Sequence, residues 1–357
     1  MLRRLRRVAL IPRFARGVRA LEYDITRYFD CTFKSYKTYS LRRFGKVGYK
    51  TLEASWHYWQ SLHRDQEYLI STGEVYNTLV LALPRLQNVK VATLSDRFAG
   101  HRCNSKSAPL PPYPTRNTAG LEPEYQIHGY LSLIQAFASS SYRLGESAVY
   151  PEHGNTVGIL IYMFQLSSEG RQWTKATFEY LTTVHFKFYT DKYNQPEDMD
   201  IEEILSTGVI AQVLIYATSL RRLSLTFHVD IERYRIVVPF LSIVGGHIWG
   251  SLEQIELNGI RIAQATELCD FLSRHRNMVT SITLRCIGLM DNGWIAVADC
   301  IRKLALLQGL LLEDLEVGMS KYLDCLTAME IRERAMGGRH NNLGPDIDTI
   351  LGALAVT

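Results

Sequence analysis

In the C-terminal half of the chain, apolar residues recur in a short fixed pattern, apolar-x-x-apolar-x-apolar, often with a further apolar residue three positions on. The clearest copies are Leu252-Glu-Gln-Ile255-Glu-Leu257-Asn-Gly-Ile260, Val279-Thr-Ser-Ile282-Thr-Leu284-Arg-Cys-Ile287 and Leu307-Gln-Gly-Leu310-Leu-Leu312-Glu-Asp-Leu315, preceded by Leu220-Arg-Arg-Leu223-Ser-Leu225. Alternation of the last two apolar residues about a single residue is the period of a strand with one buried face. Between copies, Ala263–Arg276 sets Ala265, Leu268, Cys269 and Leu272 at helical spacing, and Gly293–Leu304 does the same with Trp294, Val297, Ala298, Ile301 and Leu304. Strand and helix alternate, which predicts parallel strands joined by helical crossovers.

Measured at their last strand residues, these copies fall at 225, 257, 284 and 312, in steps of 32, 27 and 28 residues. Such steps lie within or just beyond the period of leucine-rich repeats, roughly 20–29 residues. Looser copies lie upstream at Leu181-Thr-Thr-Val184-His-Phe186, Leu86-Gln-Asn-Val89-Lys-Val91 and Val18-Arg-Ala-Leu21-Glu-Tyr23, separated by longer gaps of 39, 95 and 68 residues. Ser55–Ile70, Glu74–Leu83 and Gly129–Leu144 read as helices within those gaps. Residues 100–123, rich in proline, are expected to form a mobile loop, and Tyr189–Met199 a second polar loop. Met319–Met336 reads as a helix stopped by Gly337-Gly338, followed by a poorly ordered tail.

The fold class this predicts is α/β: an irregular leucine-rich-repeat solenoid with parallel strands on its concave face and helices on its convex face. Its organisation is expected to be a basic N-terminal helix or remnant over residues 1–17, the solenoid over 18–317, and a C-terminal helix and tail over 318–357.

Charge changes the picture at one end. The whole chain carries 40 Lys+Arg against 36 Asp+Glu, a formal +4, yet residues 1–50 alone hold 14 basic and 3 acidic residues. Arg3, Arg4, Arg6, Arg7, Arg13, Arg16 and Arg19 all precede the first acid, Glu22. The expected form is a solvated helix face before the first strand; the alternative is a mitochondrial presequence. The longest uncharged runs, Ile236–Leu252 and Ser206–Leu220, are shorter than the ~20 apolar residues of a spanning helix, so no membrane partner is expected. Six dispersed cysteines, Cys31, Cys103, Cys269, Cys286, Cys300 and Cys325, contain no Cys-x-x-Cys pair and read as reduced thiols. A cytoplasmic or nuclear location is expected, with the mitochondrion as alternative.

Candidate chemistry is sparse. The chain has neither the phosphate-binding Gly-x-x-x-x-Gly-Lys-[Ser/Thr] loop nor the Gly-x-Ser-x-Gly nucleophile elbow. His57 and His63 are too far apart in sequence to share a helix face as metal ligands, and His101 and Cys103 have no second ligand pair nearby. No catalytic residue, cofactor or metal is expected, and an enzyme with an unrecognised site is the runner-up. The basic start interleaves Tyr23, Tyr28, Phe29, Phe33, Tyr36, Tyr39 and Phe44, a composition that permits nucleic-acid binding. Aromatics at such spacing serve a core more often, and nucleic acid is not the expected partner.

A solenoid acts through the strand residues that alternate with its buried set. In this register they are Thr183, His185 and Lys187; Arg222 and Ser224; Gln254 and Glu256; Ser281, Thr283 and Arg285; and Glu313. They are the candidate partner-binding residues, with Arg222, Glu256 and Arg285 as leading contacts.

In the pattern and order of its repeats the chain resembles fungal F-box proteins that carry degenerate leucine-rich repeats. The resemblance rests on Phe14-Ala-Arg-Gly-Val-Arg-Ala-Leu-Glu-Tyr-Asp24, on Leu83-Pro-Arg-Leu-Gln-Asn-Val-Lys90, and on the final unit from Trp294 through Leu304 to Leu307-Gln-Gly-Leu-Leu-Leu-Glu-Asp-Leu315. It implies a non-catalytic protein-recognition module that serves as the substrate-binding part of a ubiquitin-ligase adaptor. In that family an F-box ahead of the first repeat binds a Skp-type adaptor. Residues 1–17 contain no readable F-box, so such an adaptor is an expected partner only where an upstream F-box exists.

Overall fold

A computed structural model describes residues 2–24, 32–44, 46–95, 123–149, 159–189, 200–228, 237–291, 293–317, 321–322 and 325–336. Its centre is a parallel sheet of β1 (Ala20–Asp24), β2 (Val91–Ser95), β3 (Glu146–Val149), β5 (Thr183–Tyr189), β6 (Arg222–His228), β8 (Gln254–Asn258), β10 (Ser281–Arg285) and β12 (Gly309–Glu313), which lie side by side in chain order. The short β4 (Ile159–Leu160) also pairs with β5, beyond the end of β3, and so continues the same column. The sheet does not close into a barrel.

Each strand begins at the same point of the apolar pattern, and its register shows why. Leu223 and Leu225 lie beside Val184 and Phe186 on one flank and beside Ile255 and Leu257 on the other, and all six are buried. The residue that opens each motif, Leu181, Leu220, Leu252, Val279 or Leu307, is buried as well. One carbonyl just ahead of each strand then accepts two N–H groups from the next. Thr182 O accepts from Arg221 N at 2.8 Å and Arg222 N at 3.0 Å; Arg221 O accepts from Glu253 N and Gln254 N; Glu253 O from Thr280 N and Ser281 N; and Thr280 O from Gln308 N and Gly309 N. The same forked bond joins Arg19 to β2, Lys90 to β3 and Gly145 to β5, so every junction from β1 to β12 repeats it.

Three details depart from the expected pattern. β3 was not anticipated, because Ser147 fills the place of the apolar strand residue there; its motif is Leu144-Gly-Glu-Ser147-Ala-Val149. The expected helix over Gly129–Leu144 is shifted accordingly and ends before this strand. The copy placed at Leu86 lies three residues too early: pairing of Val91 with Ala20 and Glu146 assigns its places to Val89, Ala92 and Leu94. Residues 100–122, 190–199 and 337–357 lie outside the described residues, whereas Pro123 opens a helix and Tyr189 closes a strand, and the helix expected over Met319–Met336 begins only at Cys325 because Lys321–Tyr322 pairs as a strand with Glu316–Val317.

Helices form a second layer. They are α1 (Leu2–Leu10) and α2 (Pro12–Ala15), α3 (Phe33–Phe44), α4 (Tyr49–Ser71), α5 (Glu74–Ala82), α6 (Pro123–Ser139), α7 (Ser168–Phe178), α8 (Ile201–Ser206), α9 (Val209–Leu214), α10 (Phe240–Val244), α11 (Ala265–Arg274), α12 (Trp294–Arg302) and α13 (Cys325–Met336). Neighbours pack in sequence: α1 on α5, α5 on α6, α6 on α7, and α9 through α13 in order. Apart from α3 and α4, whose buried Tyr36, Leu52 and Trp59 stand outside it, their apolar faces and the strand residues make one core that reaches from Ala9 to Met336. Its centre is aromatic, with Phe164 edge-on to Phe188 and Phe188 stacked on Phe227 at 5.0 Å.

A second, narrow sheet lies beyond the first: β7 (Val237–Val238), β9 (Arg261–Ile262), β11 (Gly288–Leu289) and β13 (Glu316–Val317) run parallel, and β14 (Lys321–Tyr322) closes it antiparallel to β13. Gly259, Cys286 and Asp314 link the two sheets, one per repeat, each at positive φ. Gly259 has φ +78°, and a Cβ there would stand 2.1 Å from Phe227 O. Gly259→Ala is therefore expected to cost about 1–3 kcal/mol through strain alone, read as a lower urea midpoint at unchanged slope. Acids also stitch repeat to repeat: Asp291 Oδ2 accepts the Ala265 N–H that starts α11, and Glu267 Oε2 accepts the Leu241 N–H in α10. Carboxylates are well placed at helix N-termini, where backbone N–H groups lack partners.

Candidate partner-binding face

Strand alternation that buries Leu223 and Leu225 turns Arg222, Ser224 and Thr226 to the opposite face. Parallel pairing without a register slip then aligns these residues across strands. One row runs Glu146, Thr183, Arg222, Gln254, Ser281, Gly309; the next runs Ala148, His185, Ser224, Glu256, Thr283, Leu311. A third joins Lys187, Thr226, Asn258, Arg285 and Glu313. All eleven residues expected from the pattern thus fall on one face, in three rows whose members are about 4.8 Å apart.

Arg222, Gln254 and Glu313 are exposed, and the other eight are half-buried by their neighbours. Thr226, Asn258, Leu311 and Glu146 belong to the same rows and were not anticipated. Thr226 and Asn258 lie past the end of the six-residue motif and Glu146 on the strand that the motif misses, while Leu311 lies inside its motif at the place of Thr283 but is apolar. Continuing the alternation past Leu225 would have found Thr226.

Charges on this face pair locally. Ser224 donates its hydroxyl to Glu256 Oε2 at 3.1 Å, and Arg285 Nε lies 3.0 Å from Glu313 Oε2. At the entry to β6 and β8, Arg221 bonds Glu253 through Nε at 3.0 Å and through a second guanidinium nitrogen. His185 feels opposed influences. Burial lowers its pKa below the ordinary histidine value, Glu146 and Glu256 pull it up, and Arg222 adds to the lowering. A histidine, a serine and a glutamate are thus adjacent in one row, but the serine stands in the middle and its proton points to the glutamate. A nucleophilic relay requires the imidazole between hydroxyl and acid. What the face offers instead is a ladder of donors and acceptors with a fixed repeat.

Elsewhere, Cys269 of α11 has the Cys300 thiol of α12 alongside it. Burial foremost, and then Cys300, push the Cys269 thiol up to about 12, a protonated and unreactive state. Among the described residues no group of three His, Cys, Asp or Glu is arranged to hold a metal, and no helix is long and apolar enough to cross a membrane. Of the aromatics in the basic start, Tyr36 is fully buried and packs near Trp59, and Phe33 meets Tyr49 and Trp56 edge-on. Tyr28 and Phe29 lie outside the described residues.

Comparison with protein-family models and with curated proteins returns no match.

Proposed function

We propose that the chain is a non-catalytic protein-recognition module, an irregular leucine-rich-repeat solenoid whose strand face is concave and holds a protein partner. The observation that carries this reading is the forked backbone bond repeated at every junction from β1 to β12, with strands and helices both stacked in chain order. Repetition of this kind makes each unit contact only its neighbours and leaves one extended face for a ligand. The mixed rows around Arg222, Glu256 and Arg285 suit a protein surface, which presents both charges and hydrogen-bonding groups, better than a polyanion, which would meet Glu146, Glu256 and Glu313. The resemblance to fungal F-box proteins supports a more particular role, holding substrates for a ubiquitin ligase. In that role a Skp-type adaptor would be bound by an F-box and not by this face.

The test reverses three charges together, Arg222→Glu, Glu256→Lys and Arg285→Glu, and compares the proteins retained by parent and variant under matched conditions. Retention of the partner is expected to fall at least about tenfold, since charge reversal at a contact opposes binding by more than 1.4 kcal/mol. The cooperative thermal transition should persist with a modestly lower midpoint, because none of the three side chains is in the core but the Ser224–Glu256 bond and the Arg285–Glu313 pair are lost. A photo-crosslinking residue at Thr283 should label the same partner, whereas one at Thr266 on α11 should not. Unchanged retention, or labelling from Thr266 alone, would place the interface elsewhere.

A further inference from the structure

At the first end of the sheet the usual order of burial is inverted. Ala9 and Ala15 are buried at 4% and 2% exposure, while three bulky apolar residues between them point outward: Leu10 at 62%, Ile11 at 42% and Phe14 at 47%. They occupy the corner where α1 turns into α2. The corner is held firmly from both sides. Arg6 bonds Glu74 and, at 3.1 Å, Thr78 of α5, and Asn88 Nδ2 donates to Arg16 O at 2.7 Å. Fold stability gains nothing from displaying three apolar side chains in water, and an exposed apolar cluster flanked by charge marks an interaction surface.

The segment that carries them is cationic and free of acids. Arg4, Arg7, Arg13 and Arg16 are exposed, no acid occurs before Glu22, and the Arg13 guanidinium lies 5.0 Å from the centre of the Phe14 ring. Arg4, Arg7 and Arg13 make no ion pair among the described residues. We propose that this corner docks the protein on an anionic lipid surface, with Leu10, Ile11 and Phe14 entering the headgroup–acyl boundary and the surrounding arginines contacting phosphate and carboxylate headgroups. The absence of a spanning helix has no bearing on such peripheral docking.

Three features favour lipid over other occupants. A soluble polyanion uses cations alone and leaves the apolar triad in water. A second copy of the chain would bring the same unpaired arginines face to face. A partner helix usually seats its apolar face in a groove, and this triad lies at the junction of two short helices with its side chains in solvent. A bilayer supplies an anionic layer directly above an apolar one, in the order this corner presents. Because the turn is already ordered, docking costs little conformational entropy.

Co-flotation of the full chain with phosphatidylcholine vesicles, with and without phosphatidylserine, tests the proposal. Parent protein should float only with phosphatidylserine present, and less as salt is raised. Replacing Arg4, Arg7 and Arg13 with glutamine should weaken partitioning about 100-fold, at the contribution typical of a basic residue near an anionic surface. Leu10→Ser, Ile11→Ser and Phe14→Ser together should abolish flotation with circular dichroism and urea midpoint unchanged. Leu10→Ser alone, at the most exposed position, should show the same loss in part should the triple variant fail to fold. Equal flotation on neutral vesicles, no flotation of the parent, or serine variants that float like the parent would each overturn the proposal. So would displacement by soluble polyglutamate from a site insensitive to the serine substitutions.

Discussion

Glu316→Ala is expected to lower the stability of the fold by about 3–5 kcal/mol, the usual consequence of removing one partner from a buried ion pair. Arg261 and Glu316 are 5% and 4% exposed, and their nearest charged atoms are 3.3 Å apart. They sit on β9 and β13 with β11 between them. In the register of the narrow sheet Arg261 is beside Gly288, and Gly288 is beside Glu316. The guanidinium therefore reaches its carboxylate across the middle strand, which is possible because residue 288 has no side chain. A Cβ on Gly288 would lie 2.8 Å from Arg261 Cγ. Alanine at 316 strands a guanidinium on a residue that is only 5% exposed, where water cannot solvate it. Trp294 Nε1 still donates to the Glu316 carbonyl at 2.8 Å, so the backbone of β13 should hold its place and the loss should be that of the charge. Equilibrium unfolding in urea gives the number directly. A double change, Arg261→Met with Glu316→Leu, should recover most of it, because well-packed apolar residues commonly match or exceed a buried pair. A loss below 1 kcal/mol in Glu316→Ala would mean that water reaches the pair.

The same pair shows why part of the fold could be read in advance and part could not. The wide sheet announces itself because apolar residues at fixed separation are forced by burial: Ile255 and Leu257, Ile282 and Leu284 recur at 27 residues since each must meet its counterpart sideways. Where one residue breaks that rule the strand vanishes from view, as β3 does when Ser147 takes the apolar place. Where an extra apolar residue precedes the motif the register drifts, as at Leu86, which is itself fully buried. The narrow sheet was visible only as the trailing Ile260, Ile287 and Leu315. Strands of two residues have no period, and their pairing is set by the left-handed kink before them. Arg261 and Glu316, 55 positions apart, carry no local mark of their contact. The candidate face was legible for the complementary reason: once the buried alternation is known, Thr183, Ser224 and Thr283 are whatever lies between.

Removal of His275 should be the other severe lesion. This side chain is fully buried and both ring nitrogens are engaged: Nε2 accepts the Trp249 N–H at 3.2 Å, and Nδ1 lies 2.8 Å from Phe271 O. Together these bonds require the neutral ring with its proton on Nδ1. The ring also stacks on Trp249 at 5.8 Å and touches Phe271 at 4.7 Å, so it joins the turn before β8 to the end of α11. His275→Ala leaves a buried N–H and a buried carbonyl without their partner and opens a cavity between two aromatic rings. The expected cost is about 3–5 kcal/mol, from two lost bonds and the void together. A pH dependence accompanies it. Burial holds the pKa of His275 below the ordinary value; the Phe271 bond pulls it up, and Arg274 and His247 push it further down. Since the folded pKa is the lower one, the unfolded chain binds the proton first. This contribution to stability is intact above the unfolded value of about 6.5 and is lost as pH falls from there toward the folded pKa. A proton on Nε2 would confront the Trp249 N–H with a second donor, so acid should loosen the Trp249 turn before it affects the far end of the sheet. Thermal unfolding of parent and His275→Gln from pH 8 to pH 5 measures the effect: the parent's midpoint should drop more steeply below about pH 6.5 than the variant's, and parallel curves would show that His275 takes up its proton without opening the core.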